Sequence, residues 1–387
     1  MIGRFYFFLV ALIVATLSGC ASLPPGADFP KFSSSALAHP EKTRLGFLFE
    51  KIALRHDGNS GFRIIPVGAD GFLIRMQMIN AAERTLDLQY YIFRGDDTGR
   101  LLTDAVLHAA DRGVHVRVLI DDGETVAGDE QIIALEAHHS VEIRIFNPFT
   151  YRGHSQLLRN IEWVFNAPRV DYRMHNKLLV VDNAIALIGG RNIGDQFFQI
   201  DPESQFADDD VFAAGPIAQR LSTTFDDYWN SALSIPVEAI SGGKSSPAAL
   251  NEYQERLDDQ LQQLRADGIV YANRVATGEP FNGIISGRLP LIWASAQVVC
   301  DNPDKKKVEN GTMVGRLMQG AVAKAAIGVR SELLMVTPFL IPGERRNAVV
   351  QGPTQPQRAC PHPDQLARII DGIDSTVRLY ALSGAPA

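Results

Sequence analysis

Residues 174–198 read MHNKLLVVDNAIALIGGRNIGDQFF, and this run decides how the rest of the chain is understood. It opens on His175, Lys177 and Asp182, a His-x-Lys pair with an aspartate five places further on. Lys177 to Asp182 (KLLVVD) has the apolar, β-branched content of a buried strand, and Ala184 to Ile188 (AIALI) that of a second strand after a tight turn. Gly189-Gly190-Arg191-Asn192 follows as a polar turn rich in glycine.

The residue types suit phosphoryl transfer. A phosphodiester repels nucleophiles, so a metal-free enzyme needs a nucleophile, a proton donor and cations for the non-bridging oxygens. His175 can attack phosphorus, and Lys177, two residues along an extended chain, projects to the same face to neutralise an oxygen. Asp182 can buttress the site, although spacing does not reveal its partner. Gly189 and Gly190 let the backbone approach a phosphate, and Asn192 can donate a side-chain N–H to it. A nucleophilic imidazole also needs orienting through its second nitrogen, usually by a carboxylate. Asp208, at the head of the strand-like DDDVF run, is the candidate, with Asp210 next.

Around this run the pattern alternates between helix and strand. Gly71–Arg84, Leu101–Arg112, Ile132–His138 and Ile217–Trp229 have helical spacing, while Leu86–Phe93, Val114–Ile120, Val141–Phe146 and 211–214 read as strands. Such alternation predicts an α/β fold with a largely buried sheet. Pro247–Asp267 reads as a polar helix on the surface or bridging two halves. Asp121-Asp122 at a strand end suggests a metal at first sight. No His or Cys cluster has ligand spacing, however, so neither metal nor cofactor is expected.

Composition narrows the function. At 387 residues, 46% hydrophobic and 21% charged, the chain is globular and long enough for two domains. A net charge of -7 argues against a dedicated nucleic-acid binder. Three cysteines make no disulfide framework. Cys300 and Cys360 read as a possible pair or as two free thiols, and Cys20 has another role.

Arg4 precedes an apolar run, Phe5 to Leu17, too short to span a bilayer and suited to a signal peptide. It ends in Leu17-Ser18-Gly19-Cys20, which resembles the bacterial lipobox. That resemblance implies acylation of Cys20 and a place in the cell envelope. The Ala21-Ser22 that follows favours the periplasmic face of the outer membrane. Residues 21–44 then form a tether.

A weak internal repeat is visible. Residues 327–339 (IGVRSELLMVTPF) lie over the end of 80–93 (NAAERTLDLQYYIF). The matching second His-x-Lys motif would fall beyond the last residue. The aperiodic, Pro-rich run from Glu344 reads as a truncated or frame-altered end. The expected organisation is a signal peptide at 1–20, a tether at 21–44, a first half at 45–235 and an incomplete second half at 236–387.

Phe62 to Ser231 resembles the first half of the phospholipase D superfamily. YYIF at 90–93, the Asp-Asp after VRVLI, FNPF at 146–149, MHNK and GGRNIGD resemble its bacterial cardiolipin synthase C-type branch. TPFLIPG at 337–343 resembles the opening of that branch's second half. The resemblance implies a duplicated α-β-α sandwich with its second half incomplete. It also implies a phosphatidyltransferase or phospholipase acting through a phosphohistidine on phosphatidylglycerol or phosphatidylethanolamine. Family members use one His as nucleophile and another as general acid, so a homodimer would be needed to pair two copies of His175. An extracytoplasmic endonuclease and an inactive remnant are the alternatives. Lys305-Lys306-Lys307 could attract anionic headgroups but reads as a solvated loop, and Tyr90, Tyr91 and Phe93 read as core.

Overall fold

The computed structural model describes residues 23–123, 129–151, 153, 155–199, 206–241, 245–266, 279–327, 334–337 and 378–381. The chain forms two compact units, Met1–Val298 with Asn302–Lys306, and Val299–Asp301 with Lys307–Ala387.

The first unit is a mixed α/β fold. Helix α1 (Arg44–Leu54) leads to β1 (Ser60–Ile65), α2 (Gly68–Ala81) and β2 (Thr85–Tyr90). Helix α3 (Asp97–Asp111), β3 (His115–Asp121), α4 (Asp129–Glu136) and β4 (Val141–Phe146) complete the βαβ run. Helix α5 (Gln156–Val170) precedes the β5 (Leu178–Val181), β6 (Ile185–Gly189) and β7 (Asp210–Ala214) meander. Helix α6 (Pro216–Trp229), β8 (Ser234–Pro236), α7 (Val237–Ser241), α8 (Pro247–Ala266), α9 (Phe281–Ile285) and β9 (Ile292–Ala294) follow. Asp96 caps α3 by accepting from the Gly99 amide at 3.2 Å, the usual way an acidic side chain fixes a helix start.

The nine strands lie in the order β8-β4-β3-β2-β5-β6-β7-β1-β9. Strands β2, β3 and β4 are parallel, and every other pairing is antiparallel. Leu178 pairs with both Gln89 and Ile188, and Gly189 pairs with Asp210. The ends of β2, β3, β4 and β6 therefore share one edge with the starts of β5 and β7. The β5–β6 turn sits at the opposite edge. Asp182 and Asn183 enter it with φ of 53° and 52°, left-handed values that these two residue types tolerate, and the Ala184 amide closes it on the Val181 carbonyl at 3.0 Å.

Alternation along each strand builds three layers. Leu86, Leu88, Val116 and Val118 join Phe72, Leu73, Leu102 and Val106 in the main core. The opposite face carries Asp87 and Arg117, and both are buried. Arg117 forks onto Asp87 at 2.7 and 2.9 Å and reaches Asp226 of α6 at 2.9 Å, its guanidinium 4.8 Å from the Phe225 ring centroid. Arg144 stacks 4.2 Å over Trp229. Charge is tolerated here because each group is paired and hydrogen-bonded.

Three expectations change. Helix α8 buries Leu250, Leu257 and Leu261 in the main core, so it is an integral helix of the first unit rather than a polar surface helix. That unit runs to Val298, beyond the expected boundary at 235, because α8, α9 and β9 complete its core and sheet. The described part of the tether, from residue 23, is tied down. Lys31 donates to the Ser231 and Ser234 carbonyls, and the Ala36 amide to Asp226. Cys20, Cys360 and residues 338–377 lie outside the described residues.

In the second unit, Leu334–Thr337 pairs in parallel with Arg378–Ala381. The first of these strands falls where the internal repeat puts the counterpart of β2. Among the described residues, no helix is long and apolar enough to cross a membrane.

Candidate active site

The motif lies where the edge containing the ends of β2–β4 meets the start of β5. His175 and Lys177 precede β5 in extended chain rather than standing within a strand. His175 is exposed, and its ring meets Tyr91 at 4.9 Å between centroids, tilted by 54°. Lys177 is buried, its ammonium 5.3 Å from the same Tyr91 ring and donating to the His175 carbonyl at 2.9 Å.

Electrostatics favour a neutral imidazole. The His175 pKa is pushed from 6.5 down to about 4, first by partial removal from water, then by the charges of Lys177 and Lys305. Burial lowers Lys177 to about 8, against the opposing pull of Asp208 and Asp121. At neutral pH the pair is an unprotonated imidazole beside a cation, the combination a nucleophile on an anionic phosphodiester needs.

The strand meeting the motif from behind holds it in place. Asp121 is wholly buried, accepting from the Met174 amide at 2.7 Å, the Gly123 amide at 2.7 Å and Arg173 at 3.1 Å. Burial raises its pKa to about 6 despite these donors. Asp122 accepts from the Phe149 amide at 2.7 Å. Asp121 thus anchors the segment leading to His175, and Asp122 the loop after β4. Among the described residues, no cluster of three or more His, Cys, Asp or Glu could hold a metal.

The structure redistributes the other candidates. Asp182 is at the opposite edge of the sheet, on the order of 20 Å from His175 at the usual strand rise. Its carboxylate accepts from the backbone amides of Glu83, Arg84 and Thr85 at 2.8–3.3 Å. It ties the start of β2 to the β5–β6 turn, a buttress through partners that spacing did not reveal and away from the imidazole. Asp208 does not orient His175. Among the described residues no carboxylate is hydrogen-bonded to that imidazole, and the charge of Asp208 acts on Lys177 instead. Asp210 is buried and clamps Arg75 at 2.8 and 3.0 Å and Arg191 at 3.2 Å, locking the glycine turn to α2.

Gly189 and Gly190 are small for a reason unrelated to phosphate. A Cβ on Gly190 would collide with the Asp208 carboxylate, and one on Gly189 with Asp210 and the Asp209 carbonyl. Asn192 Oδ1 accepts from the Ile92 amide at 3.0 Å, on the same edge of the sheet. That bond fixes the side chain and leaves its amide nitrogen to donate.

Sequence reading passed over three groups. Tyr91 packs on His175 while its neighbour Tyr90 is core, a distinction that only the end of a strand creates. Arg173 braces Asp121. Lys305, read as part of a solvated loop, donates to the Arg173 carbonyl at 3.2 Å and lies 5.7 Å from the Tyr172 ring centroid. Helix α5 was also missed, although Ser155 caps it and apolar residues recur at helical spacing.

Residues 76–229 match the family model described as cardiolipin synthase, PLD-like domain. The chain is 34% identical to cardiolipin synthase C of Escherichia coli (strain K12) over 267 residues, 68% of this chain and 54% of that protein. It is 29% identical to an uncharacterized protein of Helicobacter pylori (strain ATCC 700392 / 26695) over 338 residues, 87% of this chain and 65% of that one. The phospholipase D family member Nuc from Salmonella typhimurium superposes with a TM-score of 0.32 at 17% identity, covering 46% of this chain and 96% of Nuc. The chain spans between half and two thirds of the length of these two curated relatives.

Proposed function

Residues 76–229 belong to the phospholipase D-like family of cardiolipin synthases, and from that premise we propose that the chain transfers phosphatidyl groups through a phosphohistidine at His175. The observation that carries this reading is an exposed His175 imidazole kept unprotonated beside the Lys177 ammonium.

In the first step the imidazole nitrogen attacks phosphorus, the P–O bond to the leaving alcohol breaks, and the alcohol oxygen takes a proton. Lys177 and the Asn192 amide stabilise the charge on the non-bridging oxygens. In the second step an acceptor hydroxyl attacks phosphorus, its proton passes to the group that protonated the leaving alcohol, and the N–P bond breaks. With phosphatidylglycerol as acceptor the product is cardiolipin, and with water it is phosphatidic acid. The proton donor would be a second His-x-Lys motif. A second copy of the chain would supply it, two-fold pairs being the commonest assembly.

The lipobox-like Leu17–Cys20 run supports an acylated, envelope-bound protein that meets its substrate in the membrane. Radiolabelled fatty acid incorporated by the wild type and lost in Cys20→Ala would support that part; equal labelling of both would overturn it.

The function is tested with the purified chain on vesicles of phosphatidylglycerol and phosphatidylethanolamine, with His175→Ala alongside. Cardiolipin or phosphatidic acid is expected from the wild type, with an acid-labile phosphoprotein that His175→Ala does not form. Product formation unchanged in His175→Ala would overturn the reading, as would cleavage of DNA without any lipid product.

A further inference from the structure

Helix α5 is built inside out. Its Arg159, Glu162 and Arg169 face the protein. Arg159 lies 4.4 Å over the Phe149 ring centroid and donates to the Asp122 carbonyl. Glu162 accepts from the Thr150 and Tyr151 amides at 2.7 and 2.8 Å, and from Arg169 at 3.1 Å. Leu157, Leu158, Ile161, Val164 and Phe165 recur at helical spacing on the other side. With Trp163 they are 43–69% exposed. A surface helix of a soluble domain normally has the reverse arrangement, and contiguous exposed apolar surface marks a docking face.

Resting on the lipid-substrate reading above, we propose that α5 lies in the surface of an anionic phospholipid bilayer, its apolar face among the acyl chains, and so sets His175 at headgroup depth.

Three observations favour a bilayer over another occupant. The exposed stripe carries no charge, so it offers a protein partner no polar rim for register, whereas acyl chains need none. Cations gather at its C-terminal end: Lys305 and Lys306 lie 5.7 and 5.4 Å from the ring centroid of Tyr172, two residues past the helix. That is the charge complement of anionic headgroups. The chain then runs directly from α5 through Tyr172 and Arg173 to His175. The exposed residues all fall on the segment before a kink at Asn166, a stretch of roughly 15 Å, too short to cross a bilayer but ample to lie along one, buried about 5–10 Å deep.

The test uses the full chain and two readouts. Tryptophan fluorescence is measured on phosphatidylglycerol vesicles whose acyl chains are brominated close to the headgroup. Trp163 follows the inward-facing Arg159 by one turn and Trp293 stacks on His56, so the probe is Phe165→Trp in a Trp163→Phe background; quenching is expected there well above that of Trp163→Phe alone, Trp229 being wholly buried. This reading is independent of any anchor at the N-terminus. Second, Leu157→Glu/Val164→Glu should raise KM on vesicles by at least about tenfold, because two aliphatic side chains leave the acyl region. Turnover of a monomeric short-chain phospholipid should stay within about twofold, the altered positions being exposed.

No added quenching in Trp163→Phe/Phe165→Trp, or an unchanged vesicle KM, overturns the proposal. So does a wild-type dimer in sedimentation that Leu157→Glu/Val164→Glu dissociates with no effect on vesicles, which would make α5 a protein interface. If Trp163→Phe/Phe165→Trp is quenched but no phospholipid is turned over, the functional reading fails and the docking of α5 stands.

Discussion

The Lys177 ammonium donates to the carbonyl of His175, the residue whose imidazole it accompanies, at 2.9 Å. The short loop this closes fixes a cation beside a nucleophile, and the cation disfavours a proton on the imidazole. The His175 pKa near 4 is below the free value, so the imidazole becomes nucleophilic as pH rises through about 4 rather than 6.5. The Lys177 pKa near 8 means that the cation is lost as pH rises above about 8. The kcat/KM profile on a soluble phosphodiester should be a bell with limbs near those values. An acid limb at the ordinary histidine pKa would disprove the assignment.

Asp208 raises the Lys177 pKa and makes no hydrogen bond to His175. Asp208→Asn should therefore move the alkaline limb to lower pH and leave the acid limb in place. Movement of the acid limb alone would return Asp208 to the role of orienting the imidazole. The shift should be modest, since Asp208 is exposed and solvent screens its charge.

Asp182 holds three backbone amides at the far edge of the sheet. Asp182→Asn exchanges an acceptor-only carboxylate for an amide that cannot satisfy all three, at a cost of about 1–3 kcal/mol. Denaturant unfolding should show that loss, while kcat of the folded fraction stays near wild type. A large fall in kcat with unchanged stability would place Asp182 in the chemistry after all.

Adjacent glycines should respond differently to one methyl group. Gly189→Ala meets the Asp209 carbonyl at 2.5 Å and the Asp210 carboxylate, which Arg75 holds rigid. Backbone must move, and roughly 1–3 kcal/mol of stability should be lost. The three atoms nearest to a Cβ at Gly190 all belong to the Asp208 carboxylate, which is exposed and can swing away. Gly190→Ala should unfold near the wild-type midpoint and reproduce the lowered alkaline limb of Asp208→Asn. Equal destabilisation by both substitutions would contradict this account.

Breaking the Arg75–Asp210–Arg191 clamp should be costlier. Asp210→Asn leaves two wholly buried guanidiniums without their carboxylate, a loss of about 3–5 kcal/mol. Thermal unfolding measures it directly, and a change under 1 kcal/mol, roughly the worth of an exposed pair, would show the clamp to be incidental.

The sequence by itself determined the strand and helix order from Leu86 to Phe146 and from Lys177 to Trp229, the hairpin after Lys177 and the identity of the His175–Lys177 pair. Those features are local: period-two alternation, a turn with two left-handed residues, and chemistry carried by two neighbours in one extended run. Only the tertiary structure decided which aspartate does what. Strand β5 is antiparallel to β2 and β6, so seven residues carry Asp182 to the opposite edge from His175 while Asp121, more than fifty residues away, arrives beside it. The same long-range pairing turned Asp87 and Arg117 inward and Lys305 toward the site, and left the apolar side of α5 facing out. Charge and hydropathy along a chain record what a residue is, whereas burial and partners follow from which strands pair, and that is settled by contacts distant in sequence.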